Sequence, residues 1–218
     1  MGDPGFLIVF AVFIIIVAVI VGVRRKHQRY HKSGQGADSR NLDNYGAPAL
    51  SLYSEAKLFS PHNIITVADE NDKPVYKAHS RVISLHDKTW LETADGKEVA
   101  YIWSKAVSVH ERHFVEMADG VKFQISNELM HLIRDVTNIE ELGWKLEGNI
   151  MALNFVLTDG AGRPIAVVGQ KALSVKDIFS IDIYQPQHEA IIVAIVITLQ
   201  HMLKDRRNAA AANSSSSS

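Results

Sequence analysis

Cysteine is absent from all 218 residues. Disulfides, thiolate metal sites, thiol nucleophiles and S-palmitoylation are thereby excluded, and the composition fits a reducing compartment. Three catalytic signatures are missing as well: a Gly-Lys-Ser/Thr phosphate loop, a Gly-x-Ser-x-Gly elbow and a His-Glu-x-x-His zinc motif. Carboxylates are plentiful but cluster at turns, where Asp and Asn sit for backbone reasons. Net charge is scarce too, at −1 overall, and it is unevenly spread. Residues 1–32 carry Arg24, Arg25, Lys26, Arg29 and Lys32 against Asp3 alone, so the chain from Ser33 onward is left at −5. An acidic folded part argues against nucleic acid as a partner. The reading is a non-enzymatic protein with no cofactor and no metal.

Charge is missing altogether from Phe6 to Val23, FLIVFAVFIIIVAVIVGV. About 18 such residues make a candidate transmembrane helix. A cleaved signal peptide would need its basic residues before the apolar run, and here they follow it. The basic side should face the cytoplasm by the positive-inside rule. Residues 1–32 are therefore expected to be a single-pass anchor in the cell membrane, with the N-terminus outside and the rest of the chain in the cytoplasm. Arg24, Arg25, Lys26, Arg29 and Lys32 are candidates for contact with anionic headgroups.

Residues 33–55 read as a linker, since Ser33 to Pro48 is rich in Gly, Ser, Asp and Asn. From there the period changes to strands. Apolar runs flank Asp69–Pro74, Asp95-Gly96-Lys97, Asp119-Gly120 and Asp159–Arg163, which is a strong hairpin signal. Ser60, Ser84 and Ser108 recur every 24 residues, one strand, turn, strand and reverse turn apart. The pattern is an all-β meander of about twelve strands between Ala56 and Tyr184. Asn127–Asn138 suits a short helix nearly as well as a strand. The meander ends on Ala190–Leu199, AIIVAIVITL, at the centre of a helix expected over residues 186–204. Its middle is apolar on every side, so Ile191, Ile192, Ile195, Val196 and Leu199 are expected in the core. The uncharged run Ala190–Leu203 is shorter than the roughly 20 residues a bilayer requires, so its surroundings should be the sheet. Residues 209–218, alanine and serine with one asparagine, read as a disordered tail.

These hairpins and reverse turns resemble the LURP-one-related family, as do Trp144-Lys145-Leu146-Glu147-Gly148-Asn149, Gln170-Lys171, Asp182-Ile183-Tyr184 and the closing helix. That family belongs to the tubby C-terminal-like superfamily, with phospholipid scramblases as relatives. The resemblance spans residues 56–208. It implies a mostly β fold, a twelve-stranded barrel around a C-terminal helix, with no established enzymatic activity. The lipid-binding residues of the tubby relatives have no match here, and neither do the cysteine-rich stretch and calcium loop of scramblases. Asp69-Glu70-Asn71-Asp72 lacks the glycine and the final acid of such a loop.

Two sets of residues remain. His62, His86 and His110 fall at one place in successive repeats and could line a rim that binds a metal or senses pH. Solvated turn residues are the competing reading. Trp90, Trp103 and Trp144 are expected in the core or at a barrel seam. Function then divides three ways. The chain is expected to be a membrane-tethered binding module for lipid headgroups or a membrane protein. A scaffold with no ligand is the alternative, and scramblase-like lipid translocation a further one. The acidic barrel alone should bind generic anionic lipid weakly.

Overall fold

Four hairpins close in the same way. In each, one N–H donates to the carbonyl four residues on, and its own carbonyl accepts from the N–H three residues on. The closing residues are Asp69, Thr93, Met117 and Asp159. The residue three on adopts positive φ: Asp72 at 60°, Gly96 at 88°, Gly120 at 92° and Gly162 at 77°. This is the three-residue hairpin loop whose last position is left-handed, which explains why Asp and Gly stand there. Asp69 Oδ1 accepts from Asn71 N at 2.8 Å and from Lys73 N at 2.9 Å. Asp159 Oδ1 does the same for Ala161 and Arg163, so these carboxylates serve the turns.

The computed structural model describes residues 45–55, 64–81, 88–107, 110–126, 135–171 and 178–215. The strands are β1 (Leu50–Glu55), β2 (Ile64–Ala68), β3 (Pro74–Arg81), β4 (Lys88–Thr93), β5 (Glu98–Val107) and β6 (His110–Met117). There follow β7 (Lys122–Ser126), β8 (Asp135–Ile139), β9 (Trp144–Asn149), β10 (Asn154–Thr158), β11 (Pro164–Lys171) and β12 (Ile178–Ile183). A single 12-stranded sheet runs β7-β6-β5-β4-β3-β2-β1-β12-β11-β10-β9-β8, antiparallel throughout. Two meanders, β1–β7 and β8–β12, are thus joined by the first strand lying against the last. Ser51 Oγ donates to Asp182 Oδ1 at 2.6 Å across that junction. The edges β7 and β8 come side by side, which brings the sheet round into a nearly closed barrel.

Three sequence expectations need correction. The linker does not reach residue 55, because Leu50–Glu55 is β1, paired in register from Leu50↔Ile183 to Glu55↔Ile178. A strand of six residues whose partners lie far along the chain leaves little local trace. The helix does not begin at residue 186. Pro186–His188 form a 3-10 turn, and α1 runs Glu189–Ser215. Its backbone therefore continues through most of the expected disordered tail, as alanine, the strongest helix former, favours. The ambiguous segment ends in a strand, β8.

Helix α1 fills the barrel. Ile192, Ile195, Val196 and Leu199 are fully buried, while Ile191 is only partly buried. Inward residues alternate along the strands, with Leu52, Val67, Ala78, Leu91, Ile102 and Val115 almost inaccessible. At the start of α1, the buried Tyr76 of β3 faces Glu189. Burial first, then the Glu189 charge, pushes the phenol well above its usual range. The chain enters β1 beside this end, where Tyr45 packs edge-on against Tyr184 at 6.1 Å.

Candidate functional site

The structure assembles two groups of side chains whose members are scattered in the sequence. The first lies outside the barrel. On β4, Thr89 and Leu91 point inward, so Trp90 between them points out. It pairs across the ladder with Tyr101 of β5, and Trp103 pairs with Phe114 of β6. The rings form a continuous ladder. Centroids are 5.3 Å apart for Trp90–Tyr101, 5.2 Å for Tyr101–Trp103 and 5.5 Å for Trp103–Phe114. All four side chains are part-exposed. Trp90 and Trp103 are therefore not core residues. Trp144, buried at 7% exposure, is one, and it meets His188 edge-on at 5.0 Å.

The ladder is flanked by charge of opposite character at its two ends. Toward one end Glu92 lies 3.7 Å from the His79 imidazole, and Glu116 lies 2.8 Å from the Lys122 ammonium, so each carboxylate has a neighbouring nitrogen partner. Toward the other end stand Lys88, Lys105 and Arg112, all exposed. Lys88 is the register partner of Trp103, and Lys105 is directly opposite Arg112. Like charges facing each other across a ladder destabilise a sheet. Such a pair on a folded part that is acidic overall needs another reason for its place.

The second group lies inside, around the later turns of α1. Thr89 Oγ1 is 3.3 Å from His201 Nε2 and 2.8 Å from Ser80 Oγ, which is 3.5 Å from the same imidazole nitrogen. Gln200 Nε2 donates to Ser54 Oγ at 3.2 Å. His113 of β6 is also buried, at 2% exposure. Burial pulls both imidazoles down to about 4, and for His201 the neighbouring His113 and Lys204 add to the effect. Both are neutral near pH 7. His201 and Gln200 together tie the helix to β1, β3 and β4 through uncharged hydrogen bonds. Alternation along β6 is the sequence signal that points His113 inward. His201 sits just beyond the apolar run and gives no such signal.

Of the residues singled out in the sequence, Arg24, Arg25, Lys26, Arg29 and Lys32 lie outside the described residues, as do His62 and His86. His110 opens β6, opposite Val107. Among the described residues no group of three or more His, Asp or Glu side chains is arranged to hold a metal ion. Among them, too, no helix is long and apolar enough to cross a membrane; Phe6–Val23 falls outside them.

An antiparallel twelve-stranded barrel wound around its own C-terminal helix is thus the class of protein. The model of the LURP-one-related family matches residues 50–200, from the first residue of β1 to Gln200 in the helix. The chain belongs to the LURP-one-related family. One solved structure, of a protein from Arabidopsis thaliana, is 19% identical, with a TM-score of 0.43 over 71% of this chain and 94% of that one. No curated protein matches in sequence.

Proposed function

We propose that this LURP-one-related protein is a non-enzymatic binding module tethered to the cytoplasmic face of a membrane. It uses the outside of its barrel to engage lipid headgroups or a membrane partner. The filled lumen carries this reading. Every residue from Ile192 to Gln200 is exposed by 4% or less, so a helix occupies the volume in which ligand-carrying barrels hold their cargo. Recognition is left to the exterior. Phe6–Val23 supplies the tether and Arg24–Lys32 the basic flank beside it. A tether raises effective concentration, so a contact too weak to hold a free barrel serves a held one.

Two measurements test the reading. The full chain should stay with membranes through alkaline carbonate extraction, whereas release into the supernatant would remove the tether. Flotation with a panel of single-headgroup vesicles should then compare the full chain with a chain lacking residues 1–32. Binding by the shortened chain that depends on headgroup supports recognition by the barrel. Absence of any headgroup preference, at lipid concentrations high enough to register weak binding, removes lipid recognition and leaves the scaffold reading ahead.

A further inference from the structure

We propose that the outer face of β4–β6 docks on the bilayer itself. Trp90, Tyr101, Trp103 and Phe114 enter the interfacial layer, and Lys88, Lys105 and Arg112 meet anionic headgroups. The proposal rests on the tethered reading above and names the partner that the barrel's exterior takes.

Three observations support docking on lipid. The first is composition. Trp and Tyr are the side chains that gather at membrane–water interfaces, because an apolar ring carries one polar group. Here three of the four rings are of that kind, and cross-strand pairing holds them in one row. The second is charge. The face departs in sign from the acidic chain around it, and its like-charged pair Lys105↔Arg112 becomes favourable once an anionic surface lies opposite both. The carboxylates on the same face, Glu92 and Glu116, are held by His79 and Lys122 at the far end of the ladder. The third is reach. Between the basic flank and the first described residue lie residues 33–44, which extend to at most about 40 Å. An eight-residue strand such as β3 is about 27 Å long. A barrel tethered at the end where Tyr45 meets Tyr184 can therefore lie with its side along the bilayer. The surface is too small, and the free barrel too acidic, for strong binding alone. Tethering makes it sufficient, which reconciles this face with weak binding by the isolated barrel.

Tryptophan emission reads the proposal directly, because the three tryptophans are Trp90, Trp103 and Trp144 and none lies in the anchor. The full chain is reconstituted into phosphatidylcholine vesicles with or without phosphatidylserine, the acyl chains being brominated near the headgroup. In phosphatidylserine vesicles Trp144→Phe protein should be strongly quenched. Protein carrying Trp90→Phe and Trp103→Phe should keep the emission of the buried Trp144. Combined Lys88→Ala, Lys105→Ala and Arg112→Ala substitutions should lower the docked-to-undocked ratio about a hundredfold. These sites are exposed and the variant relieves the Lys105–Arg112 repulsion, so thermal unfolding should not move to lower temperature. A chain that floats with vesicles but whose Trp90 and Trp103 are not quenched overturns the docking alone and leaves the face to a protein partner. A chain that does not float with vesicles overturns the tether, and the docking with it.

Discussion

Thr89 and His201 are 112 residues apart in sequence, yet Thr89 Oγ1 lies 3.3 Å from His201 Nε2 inside the barrel. The contact fixes the angular setting of α1 against β4. An apolar helix in an apolar lumen has many nearly equivalent rotations, and a buried polar pair has few.

The buried imidazoles make stability depend on pH. His201 and His113 titrate near 4 when folded, against 6.5 for an unperturbed imidazole. Between those values the unfolded chain binds protons that the folded chain refuses. Stability is therefore complete above about pH 6.5 and falls as pH drops toward 4, with no further loss from these groups below that. Urea midpoints at about pH 7.5 and about pH 4.5 should differ, and combined His113→Gln and His201→Gln substitutions should shrink the difference. Equal pH dependence in the variant and the parent would assign the effect elsewhere. Asp95 and Asp159, both held below the usual carboxylate range by turn hydrogen bonds, lose stability only at lower pH.

The helix core gives a graded test. Ile195 is fully buried at the barrel's centre. Ile195→Val should cost about 1 kcal/mol and Ile195→Ala about 2–5 kcal/mol, since the surrounding sheet cannot collapse onto the void. Ile195→Asp buries an unpaired charge and should abolish cooperative unfolding in a domain stabilised by roughly 5–15 kcal/mol. Chemical denaturation of the series checks the order. A cooperative, stable Ile195→Asp protein would show that the helix is not central.

Much of this fold is legible because its instructions are local. Asp119-Gly120 codes a hairpin within a few residues, and Ile192–Leu199 declares burial by having no polar stripe. What cannot be read depends on distant partners or on strand phase. Ser51 belongs to a strand because its backbone pairs with that of Asp182, 131 residues away, whose carboxylate also accepts from its hydroxyl. Trp90 and Trp103 look like core residues until the inward phase of Thr89, Leu91 and Ile102 puts them outside. The aromatic face is therefore hidden although each of its residues is visible. The cations beside it are hidden by a net charge that averages over the whole surface. Ala209–Ala212 reads as low complexity, yet alanine without a competing turn signal propagates the helix before it.

Among the described residues, Gly148 should be the least replaceable glycine. It lies opposite Phe155 in the β9–β10 ladder with φ of +136°, and a Cβ there would come within 2.6 Å of Asn154 O and 2.8 Å of Phe155 Cα. Backbone atoms on a paired strand cannot retreat. Gly148→Ala should cost on the order of 3 kcal/mol. Gly120→Ala is the control: its φ is +92° but nothing lies within 4 Å, so only the left-handed strain of about 1 kcal/mol applies. Thermal unfolding of the two variants should rank them in that order, and equal losses would mean that β9 and β10 can separate freely.

The orientation of the chain decides whether the β4–β6 face meets the right lipid. Five basic residues lie in residues 24–32, immediately after Phe6–Val23, and none precede it. By the positive-inside rule, the proposed topology puts residues 24–218 in the cytoplasm, where the leaflet carries the anionic lipid. A reporter active only outside the cytoplasm should be silent when fused after Ser218, and a cytoplasmic reporter at the same place should be active. Replacing Arg24, Arg25, Lys26, Arg29 and Lys32 with glutamine removes the asymmetry and should give mixed orientation. An active external reporter on the unaltered chain would put the barrel on the other side. Lys88, Lys105 and Arg112 would then face a leaflet poor in negative charge, and the docking surface would lose its electrostatic attraction.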